Sequence, residues 1–269
     1  MPWRVLSGVL LLAITLSTAG CPALVPGGVQ MTRVTGSGTP TQEERSVGGF
    51  TGVDLAGQGA LTITLGDRAR LVIEADDNLL PYLETELHGG ILRLQTQSGI
   101  NLHPRSPIRY RLTARTLDTV ILSGSGSIEA PDLQSPRFAA KISGSGDLAT
   151  GELRAAEVRL DISGSGNARL GAVRAERVKT TISGSGEVHI EGGEAAQQSV
   201  AISGSGDYQA GALASAEARV QLSGSGDAAI QAREHLQTRI SGCGSVRYAG
   251  DPTVEQAISG SGRVEPVAG

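Results

Sequence analysis

One column of polar side chains in this sequence has the residue types needed for cation chemistry. If the repeats that carry them stack, the carboxylates of Glu187, Asp207 and Asp227 lie about 5 Å apart and repel one another. Calcium binds carboxylate oxygens and is the candidate ion at these three residues. The alternative, which we favour, is a solvated edge where the carboxylates splay apart, so the sequence predicts no metal and no other cofactor. The full column follows a tetrapeptide repeat: Ser127, Asp147, Asn167, Glu187, Asp207, Asp227, Ser245 and Arg263.

Motifs for nucleotide binding and catalysis are absent from the sequence. Each Gly-x-Gly lacks the third glycine of a dinucleotide loop, and there is no P-loop or Gly-x-Ser-x-Gly elbow. The sequence therefore predicts no catalytic residue and no enzyme. The alternative is a β-helical carbohydrate-active enzyme, a lyase or hydrolase. Five consecutive intervals of 20 residues argue against it, because they leave no room for loops that wall a catalytic groove.

Eight near-identical tetrapeptides must position the polar column. Ser-Gly-Ser-Gly, or once Ser-Gly-Cys-Gly, recurs five times after 20 residues and twice after 18, beginning at Ser123, Ser143, Ser163, Ser183, Ser203, Ser223, Ser241 and Ser259. A fixed period of this size is typical of one structural unit stacked on copies of itself.

Apolar and polar residues alternate around each tetrapeptide, which is the period of a β-strand. Residues 158–162 are an example, and the residue just before the tetrapeptide is Ile or Leu in every repeat. One unit cannot bury its own apolar face, whereas stacked units can. The sequence therefore predicts an all-β fold: a single-stranded parallel β-helix, a solenoid with about 20 residues per rung, right-handed as parallel connections usually are.

The third residue of each tetrapeptide is predicted to form a structural ladder at the bends. Glycine supplies the unusual backbone angles, and stacked hydroxyls can donate to one neighbour and accept from the next. Cys243 is expected to be a substituted ladder position and not a reactive thiol. We predict a buried, hydrogen-bonded column made of Ser125, Ser145, Ser165, Ser185, Ser205, Ser225, Cys243 and Ser261.

The N-terminal residues have the features of a bacterial export signal. Arg4 precedes an apolar stretch over 5–16, and small residues then lead to Cys21, as in a lipoprotein signal. We predict a lipoprotein signal peptide over 1–20, lipidation of Cys21 and anchoring to the cell envelope, on the periplasmic side or the outer surface. The alternative is an ordinary signal peptide in which Cys21 is incidental. Residues 21–45, rich in Pro and Gly, are predicted to be a flexible tether.

The rest of the chain is predicted to be one β-helix domain over 46–265. Residues 116–265 contain the repeats, while 46–115 lack the tetrapeptide but alternate like strands. Solenoid ends are usually atypical, so we interpret 46–115 as the N-terminal cap and first rungs. Gly57-Gln58-Gly59 is interpreted as a degenerate copy of the tetrapeptide.

Four stretches can be compared with known families: VGGFTGV at 47–53, EADDNLL at 74–80, GILRL at 90–94 and ILSGSG at 121–126 with its later copies. Together they resemble the bacterial GIN domain, a family described as an autotransporter-adhesin head. The resemblance covers about residues 45–265. It implies an exported β-helical domain, often on a lipoprotein, and carries over no catalytic residue.

The charge and composition bear on possible partners. The net charge is −4 and aromatic residues make up 3%, whereas nucleic-acid binding needs a basic stripe with stacking aromatics. The sequence therefore predicts a non-enzymatic lipoprotein that serves as a structural or adhesin-like binding module. Its predicted partners are the membrane, through the lipid, and a glycan, cell-wall polymer or protein ligand.

Overall fold

The alternating pattern forms strands through most of the part of the chain that the computed structural model describes, residues 31–267. Within this range the only helix is a 3-10 turn over Leu80–Tyr82. No helix among these residues is long and apolar enough to cross a membrane. The signal peptide predicted over 1–20 and the lipidation predicted at Cys21 lie outside the described residues.

The first half of the fold contains short strands with two pairing directions. These strands are β1 (Thr32–Thr35), β2 (Pro40–Arg45), β3 (Gly52–Leu55), β4 (Ala60–Leu65), β5 (Arg70–Asp76), β6 (Leu83–His88), β7 (Ile91–Thr96), β8 (Ile100–His103) and β9 (Arg109–Ala114).

The repeats form the remaining strands, which are longest, at 18 residues each, in three consecutive turns, because there the bends curve without interrupting the pairing. They are β10 (Thr119–Leu122), β11 (Ser127–Ala130), β12 (Leu133–Gln134), β13 (Arg137–Ile142), β14 (Asp147–Thr150), β15 (Leu153–Gly164), β16 (Asn167–Gly184), β17 (Glu187–Gly204), β18 (Asp207–Gly224), β19 (Ala228–Gly242), β20 (Ser245–Ala249), β21 (Thr253–Gly260) and β22 (Arg263–Pro266).

Each repeat strand pairs in parallel with its copy on the next turn. Leu160 on β15 aligns with Thr180, Val200, Val220 and Thr238 on the following turns. The predicted parallel solenoid with about 20 residues per turn is therefore confirmed. The Ile or Leu before the tetrapeptide faces the interior and is at most 2% exposed on seven turns: Leu122, Ile142, Ile162, Ile182, Ile202, Leu222 and Ile240.

The first turns of the solenoid do not follow chain order. β3 pairs in parallel with both β7 and β10, and β4 pairs in parallel with both β9 and β11. The turn made by β3 and β4 therefore lies between one made by later residues and the first tetrapeptide turn. Gly59 is directly beneath that tetrapeptide, since its carbonyl accepts the Ser127 N–H at 2.9 Å. Gly57-Gln58-Gly59 thus occupies the bend position, as predicted.

Antiparallel strands complete the N-terminal part. β5 lies between β2 and β9, and β6 pairs with β7. Glu74 on β5 binds Arg109 at 2.9 Å and Arg111, while Gln42 donates to it at 3.0 Å. The hydrogen bond from Arg109 is the main reason that the pKa of Glu74 lies below its ordinary value.

The flexible tether predicted over 21–45 is wrong for residues 32–45. β1 pairs with β8, and β2 pairs with β5. Arg45 also donates to the Thr85 hydroxyl at 2.8 Å. Composition did not reveal this because the pairing partners are distant in sequence. β1 and β2 are ordered by hydrogen bonds to the edges of β8 and β5. Residues 21–30 lie outside the described part.

Inside each tetrapeptide the second glycine faces the interior and the serines face solvent. Gly146 is buried, and a Cβ atom there would lie 2.2 Å from the Gly126 carbonyl oxygen and 2.7 Å from Leu122 Cδ2. The turns are joined through the backbone, as when the Ser185 N–H donates to Gly164 at 2.9 Å. The predicted burial of the ladder is therefore wrong, because alternation turns the serine outward. Its members stack but are exposed: Ser125, Ser145, Ser165, Ser185, Ser205, Ser225, Cys243 and Ser261.

Candidate functional site

The candidate site is the outward surface of the strands that follow the tetrapeptides. On β11, β14, β16 and β17 the outward residues alternate with buried ones such as Leu148 and Val188. They form two rows that run across the turns at about 4.8 Å per turn. The inner row is Ser127, Asp147, Asn167 and Glu187, and the outer row is Glu129, Ala149, Arg169 and His189. We call these two rows the polar face.

A groove of about 310 Å³ runs along the polar face. Both rows line it, and the small side chain of Ala149 lies between Glu129 and Arg169 in the outer row. Carboxylates there accept hydrogen bonds, the guanidinium donates them, and His189 can do either. This mixture suits a ligand with many hydroxyl or amide groups.

Hydrogen bonds between side chains, and from the backbone to side chains, hold the inner row in place. Asn167 Nδ2 donates to Asp147 Oδ1 at 2.9 Å, and the Glu187 N–H donates to Asn167 Oδ1 at 3.1 Å. Farther along, the Asp227 N–H donates to Asp207 Oδ1 at 3.0 Å. Each of these acceptors is therefore occupied by a donor from the following turn.

The calcium candidates do not converge. Asp207 accepts from the Asp227 backbone, and Asp227 accepts from the N–H and hydroxyl of Ser245 at 2.8 and 2.7 Å. Glu187 is aligned with Asp207 on the neighbouring turn and is exposed. Among residues 31–267, no group of three or more His, Cys, Asp or Glu could hold a metal ion. The repulsion expected from stacking is offset by backbone donors and solvent.

A polar contact inside the solenoid was not predicted from the sequence. Gln198 Nε2 donates to Tyr208 Oη at 3.0 Å, and both side chains are at most 2% exposed. Burial raises the pKa of Tyr208 far above its ordinary value. Tyr208 has room because its neighbour on the next turn is Ala228. The available signal was a glutamine at the inward position that Val178 and Ala218 occupy on adjacent turns.

The outer row was also not predicted from the sequence to belong to a site. Arg169 and His189 are aligned on neighbouring turns and line the same groove as Asp147. They lie two residues after the inner row, and the strand period places both rows on one side of the sheet. The signal for Arg169 and His189 was therefore present in the repeat, two residues after each member of the inner row.

A parallel β-solenoid with a shallow polar groove belongs to the class of repeat domains in which the stacked turns form a scaffold and the outward side chains form the binding surface. Within that class, the family described as "putative auto-transporter adhesin, head GIN domain" matches residues 49–252. The chain belongs to this family, as its resemblance predicted. No curated protein sequence matches the chain.

Solved structures share the fold. A crystal structure described as a putative adhesin from Parabacteroides merdae has a TM-score of 0.82 at 23% identity, covering 88% of this chain and 99% of that one. A putative lipid binding protein from Parabacteroides distasonis has a TM-score of 0.80 at 24% identity, covering 88% and 100%. A putative adhesin from Bacteroides fragilis has a TM-score of 0.64 at 20% identity, covering 87% and 100%. At these identities the likeness shows the fold.

Proposed function

We propose that this chain is a non-enzymatic, adhesin-like binding module of the bacterial cell envelope, and that its polar face takes an extended, hydroxyl-rich ligand. The groove across four turns is the observation that carries this function, because it offers donors and acceptors at a regular spacing. A glycan or cell-wall polymer is a repeating ligand that suits such a spacing. Membership of an adhesin-head family supports a role in binding.

The anchor in this proposal is a lipid on Cys21, after removal of the signal peptide over 1–20. Residues 22–31 then connect the lipid to β1, which begins at Thr32. Mass spectrometry of the N-terminal peptide from the native host tests this part. Acylated Cys21 is expected, together with release into the soluble fraction on Cys21→Ala. An unmodified mature N-terminus without Cys21 contradicts it.

The binding function is tested with the full chain carrying Cys21→Ala on an array of bacterial and host glycans, with cell-wall fragments included. Arg169→Ala removes the arginine cation from the groove and is expected to lower the affinity for the ligand about tenfold. Arg177→Ala is the matched control, because Arg177 is exposed on the strand segment before the tetrapeptide. Equal weakening by both variants, or product release from the glycan, contradicts the proposal.

A further inference from the structure

A second cavity, outside the polar face, lies among the N-terminal strands. It measures about 450 Å³ and its walls include Val47, Gly48, Gly49, Phe50, Arg68 and Arg115. β2 ends beside it, β5 begins beside it and β9 ends beside it. Among its lining residues two are cationic and none carries a carboxylate.

The ends of two strands bring the two cations to the same cavity. β9 ends at Ala114, one residue before Arg115, and Arg68 lies two residues before the start of β5 at Arg70. The segment between β4 and β5 contacts the end of β9, where the Gly66 N–H donates to the Ala114 carbonyl at 2.9 Å. Arg68 and Arg115 both line the cavity. Two cations at one cavity favour an anion there, since an opposite charge nearby stabilises each charged group.

The neighbouring arginines, unlike Arg68 and Arg115, form ion pairs with carboxylates. Arg45 pairs with Glu43 at 2.9 Å and Arg70 pairs with Glu44 at 2.6 Å. Arg109 and Arg111 both pair with Glu74. Within residues 31–267, the ion pairs include neither Arg68 nor Arg115. Neither of these two cations is therefore neutralised by an ion pair in this part of the chain.

Contacts within the protein fix the orientation of the groups that line the cavity. The Arg115 Nε–H donates to the Asp67 carbonyl at 2.7 Å, which fixes the orientation of the guanidinium group. The N–H groups on the two terminal nitrogens remain available as donors. Phe50 is 8% exposed and Val47 is half-buried, so one wall is apolar. A Cβ atom at Gly48 would meet nothing within 4 Å, so the cavity is open at Gly48.

We infer that this cavity binds the carboxylate of an acidic sugar, with Arg68 and Arg115 holding the oxyanion and the apolar wall contacting the ring. Guanidinium groups bind carboxylates through paired N–H donors, and a cavity of this size holds one sugar unit. The inference rests on the proposed binding function and names one class of ligand for it.

The test is titration calorimetry of the full chain carrying Cys21→Ala with galacturonate oligosaccharides, at low and at physiological salt. Binding that weakens with salt is expected, and Arg68→Gln or Arg115→Gln each weaken it at least tenfold. Arg177→Gln, an exposed arginine elsewhere, is expected to leave it unchanged. Neutral galactose oligosaccharides are expected not to bind in this cavity.

Two further readouts separate the outcomes. Without ligand, Arg68→Gln is expected to leave the melting temperature unchanged, since Arg68 forms no ion pair within residues 31–267; loss of uronate binding that comes only with a lowered melting temperature shows a purely structural role and overturns the inference. Absence of uronate binding, or binding only to anionic phospholipid vesicles, also overturns it. If glycan binding persists in Arg68→Gln and Arg115→Gln but is lost in Arg169→Ala, this inference fails while the proposed function stands.

Discussion

The buried carboxylate of Asp76 accepts the backbone N–H of Arg105 at 2.8 Å, which ties the end of β5 to the segment that leads into β9. The N–H groups of Ser106 and Gly38 donate to the same carboxylate at 3.2 Å each. Burial is the largest single effect on the pKa of Asp76 and raises it, but the hydrogen bonds from Ser106, Arg105 and Gly38 together outweigh burial. The pKa therefore lies below its ordinary value, and one side chain orders two loops.

Asp76→Asn is expected to lower the free energy of unfolding by about 2 kcal/mol at neutral pH, because buried N–H donors lose a charged acceptor. The native pKa is lowered, so this stabilisation is complete above the unfolded pKa of about 3.9 and is lost as pH falls through the native value. Urea unfolding of both proteins between pH 7 and pH 3 measures the difference. A difference that grows on acidification contradicts this assignment.

Gly166→Ala is expected to destabilise the solenoid by about 2 kcal/mol or more. The added Cβ would lie 2.4 Å from the Gly146 carbonyl oxygen and 2.6 Å from Ile142 Cγ2, so the two turns must separate. Gly211→Ala is the matched control, since a Cβ there meets nothing within 4 Å. Thermal unfolding checks the pair, and equal melting temperatures for the two variants would disprove the close packing.

Tyr208→Phe is expected to cost about 1–3 kcal/mol, because it leaves the buried Gln198 amide without its partner. Replacing both residues, with Gln198→Leu added, removes the unpaired group and is expected to recover part of the loss. A double-mutant cycle from denaturant unfolding measures the coupling between them. Strictly additive effects would show that the hydrogen bond contributes nothing to stability.

Ile240 and Ile258 occupy the same position before the tetrapeptide but differ in burial. Ile240 is 2% exposed under the last turn, whereas Ile258 on that turn is 41% exposed. Ile240→Ala is expected to cost about 2–5 kcal/mol and Ile258→Ala less than about 1 kcal/mol, since little apolar surface is lost at the open end. Equal losses in chemical unfolding would indicate that the last turn is covered in solution.

Millimolar calcium is expected to leave the melting temperature unchanged. The carboxylates of Asp207 and Asp227 accept donors from successive turns and do not surround a common point. Differential scanning calorimetry with calcium and with chelator provides the measurement, with magnesium as the ionic control. A calcium-specific rise that Asp207→Ala abolishes would restore the calcium hypothesis.

The sequence alone was sufficient for the repeat, the strand period and the family resemblance. These are local properties: the Ile or Leu before each tetrapeptide and the two-residue alternation predict which side chains are buried. The inner row of the polar face could be read in the same way, because stacking at a constant interval brings Asp147 and Asn167 together.

Only the tertiary structure decided which distant segments pair. It inserts β3 and β4 between β7/β9 and β10/β11, adds β2 to the edge of β5 and brings Arg68 and Arg115 to one cavity. It also turns the ladder serines outward, since the space between the turns admits no Cβ at Gly146. A repeating pattern specifies neighbours one period away, whereas contacts without a period depend on which edges and cavities remain open once the turns have stacked.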